Sequence, residues 1–294
     1  MPSTSQDSCL LVTGATGHIG RTLTAHLKAS GTNILATDIS EDENTVACDL
    51  RATRDVAKLF EIAPVRGVIH LAGILPGAFY EDPLRGADVN LTGSLNLLRE
   101  SIRQKVKRFV FASSVSVYGL KRRSLRPSTE EDSPAPDEPY GASKRAIEMV
   151  GENLSQSGAI EFVALRIARV VGPGIKKSSS PWRAQMFEAA SPAQCISIPF
   201  APDAELSLAH VEDVARMLIS LAEAPTFRHS VYNSPAEIWT AHQVKELIER
   251  AKGIRVELGP SHAHGGAICD GSRFSQEFGF KLRGLEEHLR QNCE

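Results

Sequence analysis

The feature that most constrains the fold is an alternation, from Ser8 to about Ile167, of short β-branched apolar runs with longer segments of helical periodicity. This alternation is typical of βαβ units, whose strands pair in parallel. The runs are apolar on both faces, as in a sheet that helices cover on both sides. We therefore predict an α/β fold with a Rossmann-like, doubly wound parallel sheet. The predicted strands are residues 9–14, 33–38, 45–50, 67–73, 108–114 and 161–167, and the predicted helices are 18–30, 53–63, 87–104 and 141–157.

A change of pattern after Gly172 indicates a second region, in which loops surround two helical stretches, residues 211–224 and 240–253. We expect residues 8–172 to form the Rossmann-like domain, with its sheet completed by later segments. Residues 173–294 are expected to form a small C-terminal cap and the C-terminal helices.

The charge balance argues against partners that are recognised by bulk charge. With 33 Lys and Arg against 35 Asp and Glu, the formal net charge is −2, so no positive field draws the chain onto nucleic acid or anionic lipid. No apolar run approaches the roughly 20 residues that a bilayer span needs. Because the first nine residues are polar, we predict a cytoplasmic protein with neither a nucleic-acid nor a membrane partner.

The cysteine and histidine patterns predict neither a disulfide framework nor a metal site. The five cysteines are widely spaced, and none belongs to a CxxC motif or lies beside a paired histidine set. Structural zinc needs four such ligands. The pair His262 and His264 in SHAHGG is therefore interpreted as part of a flexible loop.

Three glycines, Gly14, Gly17 and Gly20, lie at the exit of the first predicted strand and the start of the first predicted helix. Their GxxGxxG spacing differs from the GxGxxG dinucleotide fingerprint, yet the physical role is the same. Glycine permits a tight turn and close approach of the backbone to a pyrophosphate, which the free N–H groups of the helix N-terminus attract. The pattern predicts a dinucleotide site.

Asp38 ends the next predicted strand, where a carboxylate can accept hydrogen bonds from the hydroxyls of an adenosine ribose. The following residue, Ile39, is not basic, so nothing at that position would favour a 2′-phosphate. We therefore predict NAD rather than NADP as the cofactor. The alternative is that Asp38 only stabilises a turn at the strand end.

Tyr140 and Lys144 lie four residues apart at the start of a predicted helix, so their side chains share one face. A free phenol titrates near ~10, but a neighbouring ammonium and a cationic nicotinamide both favour the phenolate. The preceding predicted strand ends at Ser113 and Ser114, at the sheet edge where ligands of open α/β folds bind. Together these residues predict proton transfer at that edge, although a YxxxK pair alone is more often structural.

Taken together, these segments resemble the extended short-chain dehydrogenase/reductase superfamily, in its NAD-dependent epimerase/dehydratase branch. The resemblance covers about residues 8 to 250, and it rests on TGATGHIG, CDL, HLAG, SSVSVYG, YGASK, LRIARVVGPG and HVEDVA, in that order. In the family these segments correspond to the TGxxGxxG turn, the acidic segment at the adenine, the HxAA strand, SSxxVYG, YxxxK, LRxxNVYGPG and HVDDVA.

The resemblance implies a Ser-Tyr-Lys catalytic site. Tyr140 would take the proton from a substrate hydroxyl as hydride passes to NAD, and Lys144 would lower the pKa of that tyrosine and bind the nicotinamide ribose. Ser114, four residues before Tyr118, would hold the reacting oxygen. Residues 8–172 would then bind NAD, and the cap would bind substrate.

The resemblance also implies cofactor contacts, substrate contacts and a packing role for Tyr118, whereas His70 and Asn90 are interpreted as structural because a polar group at a strand or helix end usually satisfies the backbone. Cofactor-binding residues would be Gly14, Gly17, His18, Ile19, Asp38, Asp49, Leu50, Leu71, Ala72, Gly73, Tyr140 and Lys144. Substrate contacts would be Ser114, Arg169 and Trp182. Structural roles are assigned to His70, Asn90 and Tyr118.

Two positions depart from the nucleotide-sugar members of the branch. Arg169 replaces the Asn of LRxxN, and Leu206 replaces the Arg of the RDFVHVDD segment. In those members, the Asn and the Arg are common contacts of a substrate diphosphate.

Our first hypothesis is therefore an NAD-dependent oxidoreductase that acts on a secondary hydroxyl or ketone of a sugar, sugar acid or similar small polar alcohol. The alternative is a nucleotide-sugar epimerase or dehydratase with tightly bound NAD, and a third hypothesis is a noncatalytic NAD-responsive binding protein.

The resemblance also implies a protein partner. In the family, two helices of each subunit pair across a two-fold axis as a four-helix bundle, and here these are residues 87–104 and 140–156. We therefore expect a homodimer. Core burial is expected to account for some of the apolar residues at helical spacing on these helices, which are Leu95, Leu98, Ile102, Ile147, Val150 and Leu154.

Overall fold

The computed structural model describes residues 8–119, 126–175, 180–188, 191, 194–261 and 267–291. The strands are β1 (Cys9–Thr13), β2 (Ile34–Asp38), β3 (Val46–Ala47), β4 (Val65–His70), β5 (Arg108–Ser114), β6 (Glu161–Ile167), β7 (Arg169–Val171), β8 (Cys195–Phe200), β9 (Glu205–His210), β10 (Val231–Asn233), β11 (Glu237–Thr240) and β12 (Arg255–Ser261). The helices are α1 (His18–Ala29), α2 (Thr53–Ile62), α3 (Pro76–Glu81), α4 (Pro83–Ala87), α5 (Ser94–Arg103), α6 (Pro139–Gln156), α7 (Trp182–Gln185), α8 (Val211–Glu223), α9 (Ala241–Lys252), α10 (Ser272–Phe278) and α11 (Leu285–Gln291).

Among the described residues, seven strands form one sheet in the order β10-β6-β5-β4-β1-β2-β3. β1 pairs in parallel with β2 and β4, and β4 pairs in parallel with β5. Thr13 is in register with His70, and His70 with Phe111, so the carboxyl ends of these strands meet at one edge. The predicted Rossmann-like parallel sheet is confirmed. This edge carries the glycine turn, Asp38 and Ser114.

Some predicted elements differ from those observed. The predicted strand 45–50 is reduced to β3, because the chain turns at Asp49, whose carbonyl oxygen accepts a 2.9 Å hydrogen bond from the Ala52 N–H. The predicted helix 87–104 starts as a π-helical stretch, Asp88–Gly93, and becomes α-helical at α5. β10 has no counterpart among the predicted strands, since its three residues are too few to show a periodic pattern.

The chain divides by its internal contacts into two compact units, whose segments interleave along the sequence. The first unit contains the segment ending at Ser114, Pro139–Leu165 and Ala215–Tyr232. The second contains Val115–Glu138, Arg166–Val214 and the segment beginning at Asn233. The first has an apolar core between its sheet and helices α2, α5 and α6. The second has its own core and two small sheets, β11-β9-β7 and β12-β8. The division of function at residue 172 stays a prediction.

In the described parts of the chain, no helix has the length and apolar character that a membrane span requires. Within those same residues, no three His, Cys, Asp or Glu side chains gather as metal ligands would. Four cysteines, Cys9, Cys48, Cys195 and Cys269, are free thiols. Outside the described residues lie Cys293, His262 and His264.

Candidate active site

The glycine turn after β1 depends on close approaches of the backbone. Gly14 has a φ of +71°, and a Cβ there would lie 2.7 Å from the Ala72 nitrogen. A Cβ at Gly20 would lie 2.1 Å from the Gly14 carbonyl oxygen. Both positions therefore exclude a larger residue. At Gly17, by contrast, the nearest described atom to a Cβ would be that same oxygen, at 3.1 Å. A Cβ at Gly17 would thus need only a small shift of that oxygen, and because Gly17 is exposed, a ligand can reach its backbone.

The amino end of α1 is suited to an anion. Gly17 is the N-cap and supplies no capping side chain, and the first turn holds no acidic residue. The N–H groups of that turn and the positive end of the helix dipole favour a negatively charged group such as a pyrophosphate. His18 and Ile19, which the sequence assigns to the cofactor, are half-buried residues of this first turn.

Asp38, at the end of β2, is tied to the glycine turn. Its Oδ2 accepts hydrogen bonds from the Thr16 N–H at 3.0 Å and the Thr16 hydroxyl at 2.8 Å. Together with a 2.7 Å bond from the Ile39 N–H to Oδ1, these bonds fix the carboxylate, and Oδ1 keeps the capacity to accept from a ribose hydroxyl. The geometry accommodates both interpretations of Asp38, the ribose acceptor and the turn residue. Sequence reasoning missed Thr16, whose only signal is its place inside the turn.

Asp49 and Leu50 lie in the turn that leads into α2. Arg51 binds the Asp49 carboxylate through two nitrogens, with Nη2 2.6 Å from Oδ2 and Nε 2.9 Å from Oδ1. This guanidinium lowers the pKa of the Asp49 carboxyl, which stays an acceptor at neutral pH. Leu50 is buried, and its Cβ would lie 3.2 Å from a Cβ at Gly93. Arg51 was not among the predicted site residues.

A buried chain of hydrogen bonds links β1, β4 and the start of α5. Thr13 Oγ1 lies 2.7 Å from His70 Nδ1, and His70 Nε2 lies 2.8 Å from Ser94 Oγ. Because the Ser94 hydroxyl donates its one hydrogen to the Asn90 carbonyl, it must accept from Nε2. His70 is thus protonated on Nε2, and Thr13 donates to Nδ1 and accepts from the Ala72 N–H. Burial lowers the pKa of His70 to about 3, so the ring is neutral.

The segment after β4, which carries Leu71, Ala72 and Gly73, is held from two sides. The Leu71 N–H donates to the Thr13 carbonyl at 3.2 Å. The Asn90 side chain accepts from the Ile74 N–H at 2.7 Å and donates to the Ile74 carbonyl at 3.1 Å. Asn90 belongs to the π-helical stretch, a feature that is frequent at functional sites. His70 and Asn90 thus fix the backbone of the predicted cofactor segment.

Tyr140 and Lys144, both buried, lie near the start of α6 and share one of its faces, as their spacing predicts. Lys144 Nζ lies 5.8 Å from the centroid of the Tyr140 ring and donates a 2.8 Å hydrogen bond to the Ala112 carbonyl of β5. A Cβ at Gly73 would lie 3.7 Å from the same Nζ. Burial lowers the pKa of Lys144 to about 8, against an opposing effect of Glu148. The ammonium is mainly charged at neutral pH and favours the phenolate.

The two serines at the end of β5 have different surroundings. Ser113 is buried and donates a 2.6 Å hydrogen bond to Glu148 Oε1. Ser114, the last residue of β5, is half-buried. The bond to Glu148 gives Ser113 a structural contact, and Ser114 remains the candidate for the reacting oxygen.

Tyr118, in the second unit, is a buried structural residue. Its hydroxyl accepts a 2.7 Å hydrogen bond from Arg166 Nη1 and lies 2.9 Å from both the Thr129 carbonyl oxygen and Asn233 Oδ1. Burial raises the pKa of this phenol to about 12. Tyr118 is therefore unsuited to act as a base near neutral pH.

Two predicted substrate contacts, Arg169 and Trp182, also belong to the second unit. Arg169 begins β7, and its Cζ lies 5.3 Å from the centroid of the Phe200 ring. Burial and, to a smaller extent, the charge of Arg183 lower the pKa of Arg169 to about 10, so it is still a cation at neutral pH. Trp182 is 0% exposed and packs in the core of this unit. That position is a packing one, and a contact of Trp182 with substrate stays a prediction.

The sequence matches the family model for the NAD dependent epimerase/dehydratase family over residues 10–233. The UDP-glucose 4-epimerase of Vibrio cholerae is 26% identical over 258 residues, which cover 81% of this chain and 74% of that relative. Alignments with several other curated relatives span about half of those proteins' length.

Solved structures share the fold over nearly the whole chain. The UDP-glucose 4-epimerase of Thermus thermophilus in complex with NAD is 25% identical, with a TM-score of 0.82 and coverage of 97% of both chains. An L-threonine dehydrogenase from Cupriavidus necator is 20% identical, with a TM-score of 0.87 and coverage of 97% of this chain and 98% of that one. At that identity the second likeness is one of fold alone.

Proposed function

The chain belongs to the NAD-dependent epimerase/dehydratase family, and we propose that it is an oxidoreductase that transfers hydride between NAD and a secondary hydroxyl or ketone of a sugar, sugar acid or similar small polar alcohol. The observation that carries this proposal is the position of Lys144. Its ammonium lies beside the Tyr140 ring and is anchored to Ala112, two residues before Ser114. This arrangement supports a Ser-Tyr-Lys site.

The residues present fit NAD. The exposed backbone at Gly17 and the acid-free first turn of α1 suit a pyrophosphate. Asp38 supplies a fixed acceptor for ribose hydroxyls at the next strand end. Bound NAD supplies the hydride acceptor for oxidation and, as NADH, the donor for reduction. The residues proposed to hold it are Gly14, Gly17, His18, Ile19, Asp38, Asp49, Leu50, Leu71, Ala72, Gly73, Tyr140 and Lys144.

In oxidation, the Tyr140 phenolate takes the proton of the substrate hydroxyl, while Ser114 Oγ donates a hydrogen bond to the same oxygen. Lys144 stabilises the phenolate through its charge. The hydrogen bond to Ala112 keeps Nζ beside the ring, where burial strengthens its field. Tyr140 is only 7% exposed, which limits competing proton exchange with bulk water.

Replacing Tyr140 by Phe tests this assignment. The ring still packs and only the proton relay is lost, so turnover should fall by about 10²- to 10⁴-fold while NAD affinity, measured by calorimetry, is nearly retained. Tyr80→Phe is the matched control, because that tyrosine is 49% exposed. Turnover close to wild type in Tyr140→Phe would contradict the proposed site.

For the substrate, we propose a small anionic or polar alcohol rather than a diphosphate sugar. The planar fork of Arg169 is suited to one carboxylate or phosphate. Leu206 is fully buried, where a diphosphate-binding relative would carry a second cation. UDP should therefore fail to bind in a calorimetric titration, and Arg169→Ala should mainly raise KM. Tight binding of UDP would contradict this substrate class.

The names of the relatives favour a second candidate, an epimerase or dehydratase that acts on a nucleotide sugar with tightly bound NAD. In that reaction the hydride returns to the substrate and NADH does not accumulate, whereas a dehydrogenase releases NADH at each turnover. Absorbance at the NADH wavelength during turnover separates the two. The third hypothesis, a noncatalytic NAD-responsive protein, predicts no turnover at all, and the Ser-Tyr-Lys residues weigh against it.

We also propose a homodimer in which α5 and α6 of two subunits form a four-helix bundle. Leu95 and Val150 are 36% and 38% exposed, with Met149 beside them at 56%. Leu98 and Ile147, on the same helices, are 1% exposed and pack in the core of the first unit, so they belong to the part of the set that core burial accounts for. Light scattering should give a dimer for the wild type and a monomer for Leu95→Glu. A monomeric wild type at micromolar concentration would contradict the bundle.

A further inference from the structure

The ring of Tyr140 has an aromatic neighbour that the proposed mechanism does not use. The centroid of the Phe79 ring, on α3, lies 6.3 Å from that of Tyr140, and the two planes meet at 82°. Phe79 is 2% exposed, whereas its neighbours Leu75 and Tyr80 are 62% and 49% exposed. Phe79 is thus the buried anchor of a short, otherwise exposed segment.

A glycine on α4 makes room for this anchor. A Cβ at Gly86 would lie 2.6 Å from Phe79 Cγ and 2.7 Å from both Cδ atoms of the ring. These distances are too short for real atoms, so any larger residue at Gly86 must displace the ring. Alanine would ordinarily suit a helix better than glycine does. The absence of a side chain at Gly86 therefore allows the Phe79 ring to occupy its observed position.

We propose that Phe79, held in place by Gly86, is a positioning residue that fixes the plane of the Tyr140 phenol for proton transfer. Perpendicular packing of two rings favours one orientation of each. With Lys144 on the same phenol ring and Phe79 against it, the hydroxyl is restricted in direction. The inference rests on the proposed function, in which Tyr140 carries the proton.

Truncation of Phe79 should misalign the Tyr140 phenol and admit water to its surroundings. In Phe79→Ala the phenol gains room to rotate, and water gains access to its face. A misplacement of about 1 Å can cost a factor of 10² in rate. Water at the ring also changes the solvation of the phenol and the field of Lys144, so the pKa of the Tyr140 phenol should shift.

The experiment is a double-mutant cycle of Phe79→Ala and Gly86→Ala, with Phe60→Ala as the matched control. Phe60 is a buried phenylalanine on α2, in the same compact unit. Phe79→Ala should lower kcat by about 10- to 100-fold, with KM and NAD affinity little changed. As a single substitution, Gly86→Ala should lower kcat. In the Phe79→Ala background it should have no further effect, because the space that the new Cβ needs is already vacant. Phe60→Ala should lower stability and leave kcat per folded molecule near wild type.

A second arm needs no substrate. Ultraviolet difference titration of wild type against Tyr140→Phe isolates the Tyr140 phenol, and the same difference in the Phe79→Ala background should show it titrating at a shifted pH. An unchanged titration, or effects of the two substitutions that multiply, would overturn the inference. A kcat close to wild type in Phe79→Ala, together with an inactive Tyr140→Phe, would also overturn the inference. Activity retained in Tyr140→Phe would instead overturn the proposed function.

Discussion

Protonation of the buried His70 should make the stability of the protein depend on pH in a way that one substitution can isolate. Burial lowers the pKa of His70 to about 3 in the folded chain, whereas an unfolded histidine titrates near ~6.5. As pH falls below about 6.5, the unfolded chain binds a proton that the folded chain excludes. The free energy of unfolding therefore falls with pH through this window and stops falling near the folded pKa.

The magnitude follows from the two pKa values. Each pH unit below the unfolded pKa costs about 1.4 kcal/mol, so the change from pH 7 to pH 5 costs about 2 kcal/mol. Within this window the figure depends on the unfolded value alone, because the folded pKa lies well below 5. Most carboxylates remain ionised at pH 5, so their own contribution is small there.

Urea unfolding at pH 7 and pH 5 measures this effect in wild type and His70→Gln. The variant should be less stable at pH 7 by about 1–3 kcal/mol, because Thr13 and Ser94 lose hydrogen-bond partners in the interior. Between pH 7 and pH 5, however, it should lose about 2 kcal/mol less than the wild type does. His242→Gln is the control, because that side chain is 55% exposed.

The result that would refute this reasoning is an equal loss of stability in wild type and His70→Gln between the two pH values. The folded protein would then accept a proton on His70 readily, and the assigned tautomer could not hold. His70→Gln should also weaken NAD binding, because the same chain of bonds fixes the Ala72 N–H.

Three further predictions concern the cofactor turn and the substrate. Asp38→Ala should weaken the binding of NAD more than that of NADP in calorimetry, because the ribose loses an acceptor and a 2′-phosphate loses a repulsive charge. An unchanged ratio of the two affinities would mean that Asp38 is only a turn residue. Gly20→Ala should lower the thermal midpoint by forcing a Cβ 2.1 Å from the Gly14 oxygen, whereas Gly17→Ala should impair NAD binding more than stability. Arg169→Ala should raise KM in steady-state kinetics and leave kcat nearly unchanged, and a fall in kcat alone would contradict a binding role.

The parts of the fold that could be predicted are those with a periodic or spaced signal. The alternation of strands and helices predicts the parallel sheet, and the spacing of Tyr140 and Lys144 predicts their common face. The glycine spacing predicts a turn, and Gly14 does adopt a positive φ. These features depend on neighbours in sequence, which a single chain displays directly.

The features that could not be predicted depend on residues far apart in sequence. The bond from Lys144 to Ala112, and the chain from Thr13 through His70 to Ser94, appear only once strands and helices are packed. In the sequence, Gly86 only indicates a residue that is unfavourable in a helix, and its role appears once the Phe79 ring is found packed against it. Trp182, an aromatic residue in a predicted cap, looks the same in sequence whether it packs in a core or touches a ligand.

The most direct test of the central claim is whether NADH accumulates during turnover. Wild type and Tyr140→Phe are incubated with NAD and either UDP-glucose or a panel of sugars, sugar acids and polyols, while absorbance and product identity are followed. An NAD-dependent dehydrogenase with Tyr140 as its base predicts steady NADH formation by the wild type alone, with a member of the small-molecule panel and not with UDP-glucose. Conversion of UDP-glucose into its 4-epimer without NADH accumulation would contradict that claim and establish the epimerase alternative.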